Sequence, residues 1–320
     1  MSHEVEMIDG VAQMAFVGET PWHGLGTQVS NELSPVQMMQ KAGLDWEVKK
    51  HDSYVLVDDK AIKTGQQSLI RSSDNSVLTN VGKGWNPVQN ETAFEFFAEY
   101  VAAGDMEMHT AGSIDNGRIV WALAKVSDGF ELFNGDAVES YLLFSNPHQY
   151  GKAIDVRFTP IRVVCNNTLT LSLESSSSAS VKLNHRVEFN PEMVKEMLGV
   201  AHDKLETYKE MAEFLGSKRY TKETVTEYFN NVFPIKKRTP GEAKKDMSKN
   251  ASRSLEILNT QPGARYAEGS FWQAFNAVTY LTDHELGRDS NTRMKNAWFG
   301  YNQKLKTRAL ETAVEYAEAA

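Results

Sequence analysis

With 320 residues, 41 % hydrophobic and 24 % charged, the chain is long enough to bury a sizeable core and too apolar for global disorder. Its net charge of −8 excludes a surface that coats DNA unselectively, and its single cysteine, Cys165, excludes an internal disulfide or a multi-cysteine zinc site. No apolar run approaches the ~20 residues of a membrane helix, and the polar, acidic opening "MSHEVEMIDG" does not read as a secretory leader, so a cytosolic protein is expected.

Along the first two-thirds the pattern is mostly that of strands. "TPWHGLGTQV" presents Trp22 and His23 on a glycine-rich loop, where they either hold a ligand or pin a turn. "SYVLVDD" and "SLIRSS" read as short strands. Asn90 offers a cap for one helix over "ETAFEFFAEYVAAG", ending at Gly104. "GRIVWALAKV" and "VESYLLFSN" follow as strands. "AIDVRF" and "VKLNHRVEF" alternate apolar and polar residues, which predicts an antiparallel sheet with one face buried and one open. His185 falls in the apolar register and reads as a hydrogen-bonded core histidine.

From Pro191 the period becomes helical. Helices are predicted over 191–216, 221–233, 270–283 and 292–315, with the basic, Pro-Gly-containing stretch 235–250 as a mobile connection leading into a helix. The expected architecture is α+β: an antiparallel sheet with packed helices over 1–190, then an all-helical part over 191–320.

Between these halves, "RFTPIRVVCNNTL" (157–169) holds an arginine pair, a Thr-Pro helix start, the cysteine and two asparagines. Thr159 as cap and Pro160 as first residue predict a helix. Its apolar stripe would be Ile161, Val164, Cys165, Thr168 and Leu169, with Arg162 and Asn166 on another face and Asn167 beside them. The β-branched residues leave a strand as the other reading. A cysteine among apolar neighbours is a poor nucleophile. The donors Arg157, Arg162, Asn166 and Asn167 suit phosphates and base edges instead. If the two alternating strands are neighbours, Arg157, Lys182 and Arg186 line one sheet face as a track for a phosphate backbone. Trp85, in "GWNPVQN", is a second candidate for stacking a base.

The charge is uneven. Residues 236–253 and 288–308 each carry a local +5, leaving −18 for the rest. In the second stretch Trp298, Phe299 and Tyr301 adjoin Lys304, Lys306 and Arg308, a mixture that suits single-stranded nucleic acid and equally suits a helical bundle. A metal site from His23, His185 and Asp283 lacks any ligand spacing, and no phosphate-binding or nucleophile-elbow motif occurs. No catalytic residue, metal or cofactor is assigned.

Taken in order, "PWHGLGTQV", "VGKGWNPVQNETAFEFF", "AGSIDNGRIVWALAKV", "TPIRVVCNNTL", "VKLNHR", "FNAVTYLTDH" and "NAWFGYNQKLKTRAL" resemble the phage/plasmid-like proteins of domain-of-unknown-function family 932, from about residue 12 to 312. Where that family commonly has an "RYxPVQN"-like segment, this chain has Trp85-Asn86-Pro87, keeping the aromatic and losing the basic residue. The resemblance implies a mobile-element origin, a bacterial cytoplasm and no established enzymatic activity. At fold level only, the expected architecture is similar to single-strand annealing proteins of phage recombination. The expectation is an oligomeric, non-enzymatic single-strand nucleic-acid binder, with a protein-interaction factor as the alternative.

Overall fold

The computed structural model describes residues 5–18, 25–126, 129–133, 135–162, 167–168, 180–186, 206–235, 246–288, 296 and 300–320. The architecture is α+β with a helical C-terminal part. Against an expected boundary at residue 190, two compact units interleave along the chain. One comprises Met1–Ser127, Tyr141–Phe158 and Ser180–Gly199; the other Asp128–Ser140, Thr159–Ala179 and Val200–Ala320.

The first unit starts with β1 (Met7–Ile8) and β2 (Val11–Ala12), a hairpin whose Asp9 and Gly10 both take positive φ. Next come β3 (Met14–Val17) and β4 (Thr27–Val29), which pair in parallel. In α1 (Pro35–Lys41), Ser34 and Gln37 form a reciprocal capping box and Pro35 opens the first turn. Strands β5 (Val48–Val57), β6 (Lys60–Arg71) and β7 (Val77–Val81) make a separate antiparallel sheet. Arg71, buried at its end, is ion-paired to Glu6 and Asp74 and lies 5.6 Å over the Trp46 ring. That guanidinium fastens the chain start to this sheet, because an unpaired buried cation would cost several kcal/mol.

The helix expected from Asn90 to Gly104 is two: α2 (Asn90–Glu95) and α3 (Ala98–Ala103). The break turns Phe94, Phe96 and Phe97 all inward. Gly104 closes α3 in the left-handed conformation, as its position suggested. Then β8 (Met106–Ile114) and β9 (Ile119–Val126) form the middle of the main sheet, joined by residues of β11 and β12 below. Every residue from Ile119 to Ala124 is buried, so both faces of this antiparallel strand are covered. Of the open face expected on the two alternating segments, Asp155 is 7 % exposed and covered, whereas Lys182, Asn184 and Arg186 are exposed.

β10 (Phe130–Leu132) pairs with the start of β11 (Asp136–Pro147) in the second unit, and the rest of β11 pairs with β9 in the first. β12 (Ile154–Arg162) replaces the helix expected from Thr159. The cap signal there is local, and sheet pairing with β13 (Asn167–Thr168) and β14 (Ser180–Leu183) overrides it. The strand expected over 181–189 turns at His185–Arg186.

In the second unit the chain is helical over α4 (206–217), α5 (Lys222–Val232), α6 (Lys249–Ile257), α7 (Phe271–Tyr280) and α8 (Tyr301–Glu318). Thr221 and Ser248 cap α5 and α6. Nine of the ten residues of α7 are buried, Trp272, Asn276 and Thr279 included, so it is the central helix and not an amphipathic one. Phe133 lies against Gly216, where any β-carbon would meet its ring, and also against Trp272. A π-helical turn, Leu281–Glu285, extends α7. Asn302 of α8 donates to the carbonyls of Thr282 and Leu286 at 2.7 and 3.1 Å, satisfying acceptors such a turn leaves free.

Candidate nucleic-acid interface

Three segments of the first unit converge on a cleft of about 900 Å³. The middle of β6 and the end of β7 supply Gln66 and Asn80; the turn between β11 and β12 supplies Tyr150 and Lys152; and β14 with its following turn supplies Lys182 and Arg186.

Each segment is held by its own local chemistry. Lys50 of β5 donates to the carbonyls of Lys83 and Trp85 at 3.0 and 2.8 Å, pinning the 82–85 turn to the sheet. Asn86 N–H donates to His185 O at 2.8 Å, and the Trp85 and His185 rings stack with centroids 4.1 Å apart and planes 24° from parallel. Gly151, at φ +77°, makes the turn that leaves Tyr150 64 % exposed beside Lys152. In β14 the register sets Lys182 opposite Asp155. Asn184 Oδ1 accepts from Arg186 N–H at 3.0 Å, an Asx turn that carries Arg186 to the same rim.

The electrostatics are one-sided. Lys152, Lys182 and Arg186 are exposed, and among the described residues the lining contains no carboxylate. Beneath lie uncharged rings. Burial pushes His185 down to about 4, and burial with His185 nearby pushes His148 down to about 3. His148 is held by its ring to Asn90 Oδ1 at 2.9 Å, and Asn90 donates in turn to the carbonyls of Leu44 and Trp46. His185, hydrogen-bonded to Asn86 O at 3.2 Å and 1 % exposed, is a core histidine.

The sequence candidates separate sharply. Trp85, Lys182 and Arg186 meet in the cleft. Trp85 is only 6 % exposed with a ring face taken by His185, so it forms floor and is no stacking platform. Arg157 is neighbouring in sequence but engaged: its Nε donates to Asp155 Oδ1 at 2.7 Å, and the pair is largely buried. The phosphate track through Arg157 is therefore corrected to a cleft that leaves it out. Arg162 and Asn167 pair in backbone register within the second unit. Trp22, His23, Cys165, Asn166, Trp298 and Phe299 lie outside the described residues.

In the second unit Lys304 is exposed, whereas Lys306 is 0 % exposed and paired to Asp283 at 2.8 Å. Arg308 donates to the carbonyls of Asn231 and Val232 at the end of α5. Neither cation is free for a phosphate, because each already answers a carboxylate or a helix C-terminus. Asp283, spent on Lys306, is likewise unavailable to a metal. Among the described residues no three His, Cys, Asp or Glu side chains gather as a metal site, and no helix is long and apolar enough to cross a membrane.

Sequence reading missed Tyr150 and Lys152. The signal was the "NPHQYGK" turn between two strands, in which an exposed aromatic sits beside a glycine and a lysine.

The molecule is thus an α+β protein whose sheet-bearing unit carries a cationic cleft. The profile of the family described as Domain of unknown function (DUF932) matches residues 77–308, and the chain belongs to that family. Comparisons with curated proteins and with solved structures return no match.

Proposed function

We propose that the protein binds single-stranded nucleic acid, without catalysis, through the cleft of the first unit. The observation that carries this is the convergence of Lys152, Lys182 and Arg186 with the exposed Tyr150 ring on one concave surface that has no carboxylate among its described lining. Phosphates pair with the cations, a base stacks on Tyr150, and the amides of Gln66, Asn80 and Asn184 reach base edges. A cleft of this size takes a few nucleotides of one strand and is closed to a duplex, whose two backbones need a wider surface. A phage or plasmid setting, implied by the resemblance of the ordered motifs, fits a recombination or replication role.

The test is a salt-dependent titration with single- and double-stranded oligonucleotides. Each of K152A, K182A and R186A should flatten the slope of log K against log salt by about 0.7 for each lost phosphate contact, whatever the sequence. Y150A should weaken single-strand binding by about 1–3 kcal/mol while leaving that slope unchanged. Absence of oligonucleotide binding at low salt rejects the reading and favours a protein-interaction factor.

A further inference from the structure

Beyond the bulge between Asp52 and Tyr54, β5 and β6 leave their sheet and continue as a two-stranded arm. Gly65, at φ +80°, takes up the bulge on β6, and Thr64 Oγ1 donates to Ser53 O at 3.1 Å across it. The arm pairs Tyr54 with Lys63, Val55 with Ile62, Leu56 with Ala61 and Val57 with Lys60. Asp58 and Asp59, both at positive φ, make the two-residue turn.

Tyr54, Val55, Leu56, Val57 and Ile62 are 58, 49, 76, 48 and 49 % exposed. They are five of the eleven large apolar side chains that are exposed among the described residues, gathered in nine positions. Alternation puts Tyr54 and Leu56 on one face, Val55 and Val57 on the other, so neither face is covered. A ribbon with both faces in water is marginal alone, and such a patch marks a contact surface.

We propose that this arm docks in the cationic cleft of a second copy of the chain. Charge selects the occupant. Asp58 and Asp59 against Lys60 leave the tip net acidic, which opposes nucleic acid and matches Lys152, Lys182 and Arg186. Apolar chemistry agrees: Ala153 and the exposed Tyr150 ring line the cleft that Leu56 would enter. The cleft of the same copy is out of reach, because Gln66 at the arm's root forms its wall and the tip lies about 20 Å further along the strands. Tip and cleft are different surfaces, so the contact closes as a reciprocal pair of copies or continues as a ring or a filament. Nucleic acid and arm then compete for one site.

The experiment uses the full chain without nucleic acid in sedimentation analysis at low salt, with melting temperatures confirming that each variant is folded. Wild type should sediment above the single-chain mass of 35.9 kDa. The tip variant L56K/D58N/D59N, which keeps turn-forming residues, should fall to that mass, as should the cleft variant K182E/R186E. Mixed together, they should form a complex of two chains and nothing larger, because the intact tip of one meets the intact cleft of the other. A wild type that is a single chain at every concentration overturns the proposal. So does a mixture that stays single-chain while wild type assembles. Loss of oligonucleotide binding with assembly intact would instead count against the nucleic-acid reading alone.

Discussion

Both units bury an ion pair, Arg71 with Glu6 in the first and Lys306 with Asp283 in the second, but they differ in the cations they leave at the surface. The first keeps Lys152, Lys182 and Arg186 at the surface and buries His148 and His185 as neutral rings. The second seals Lys306 against Asp283 and spends Arg308 on the last carbonyls of α5. Arg253, in the other basic stretch, is held by Glu256 and Glu285. The sequence shows the denser runs of Lys and Arg in the second unit, yet Arg253, Lys306 and Arg308, half of the six that are described there, are committed to partners within the unit. Availability of a cation depends on its neighbours in space, and a local +5 does not report it.

The largest expected effect breaks the second unit's side of this contrast. Lys306→Met removes the buried ammonium that pairs with Asp283 and should cost about 3–5 kcal/mol in denaturant unfolding. Adding Asp283→Leu should recover most of that loss. A small cost for the single change would mean that the pair is not sealed.

An intermediate effect concerns the first unit's buried rings. Both histidines have folded values below the ordinary 6.5, at about 3 and about 4. Below 6.5 the unfolded chain takes up protons that the folded unit refuses. Stability should therefore fall as pH drops from 6.5 toward 4, by about 1.4 kcal/mol per pH unit for each ring, with no contribution above 6.5. Urea unfolding at pH 7, 6 and 5 measures it, and His185→Phe should make the decline shallower. Equal stability at pH 7 and 5 would contradict the neutral burial.

The smallest effect sharpens the comparison most directly. Arg308→Ala should cost about 1 kcal/mol through the lost helix-end hydrogen bonds. The K182A/R186A pair should stay within about 0.5 kcal/mol of wild type, as exposed positions do. Equal losses in thermal unfolding would erase the distinction between structural and surface cations.

Legibility followed the range of the interactions. The α5 cap at Thr221, the helix of 271–280 and the strands around Trp121 and Phe144 announce themselves within a dozen residues, because capping and periodicity are local. Thr159-Pro160 misled for the same reason: a sound local helix signal lost to pairing with strands further along. Lys182 and Arg186 could be picked out from their strand, but Tyr150 and Lys152 come from another turn some thirty residues earlier, and nothing in either stretch points to the other. The arm's apolar run looked like any core strand. Only its uncovered faces reveal its character.

The interleaving of the units has a consequence for how the chain is made. Asp136, which accepts a hydrogen bond from the Trp272 indole, is synthesised 136 residues before that tryptophan. Phe133 waits as long for the same ring. The helical unit cannot complete its core until most of the polypeptide has been synthesised, however early its first segment emerges. Those residues can pair locally with one another but have no core to cover them meanwhile, so the interval of synthesis between positions 136 and 272 is when the nascent chain is most exposed to aggregation.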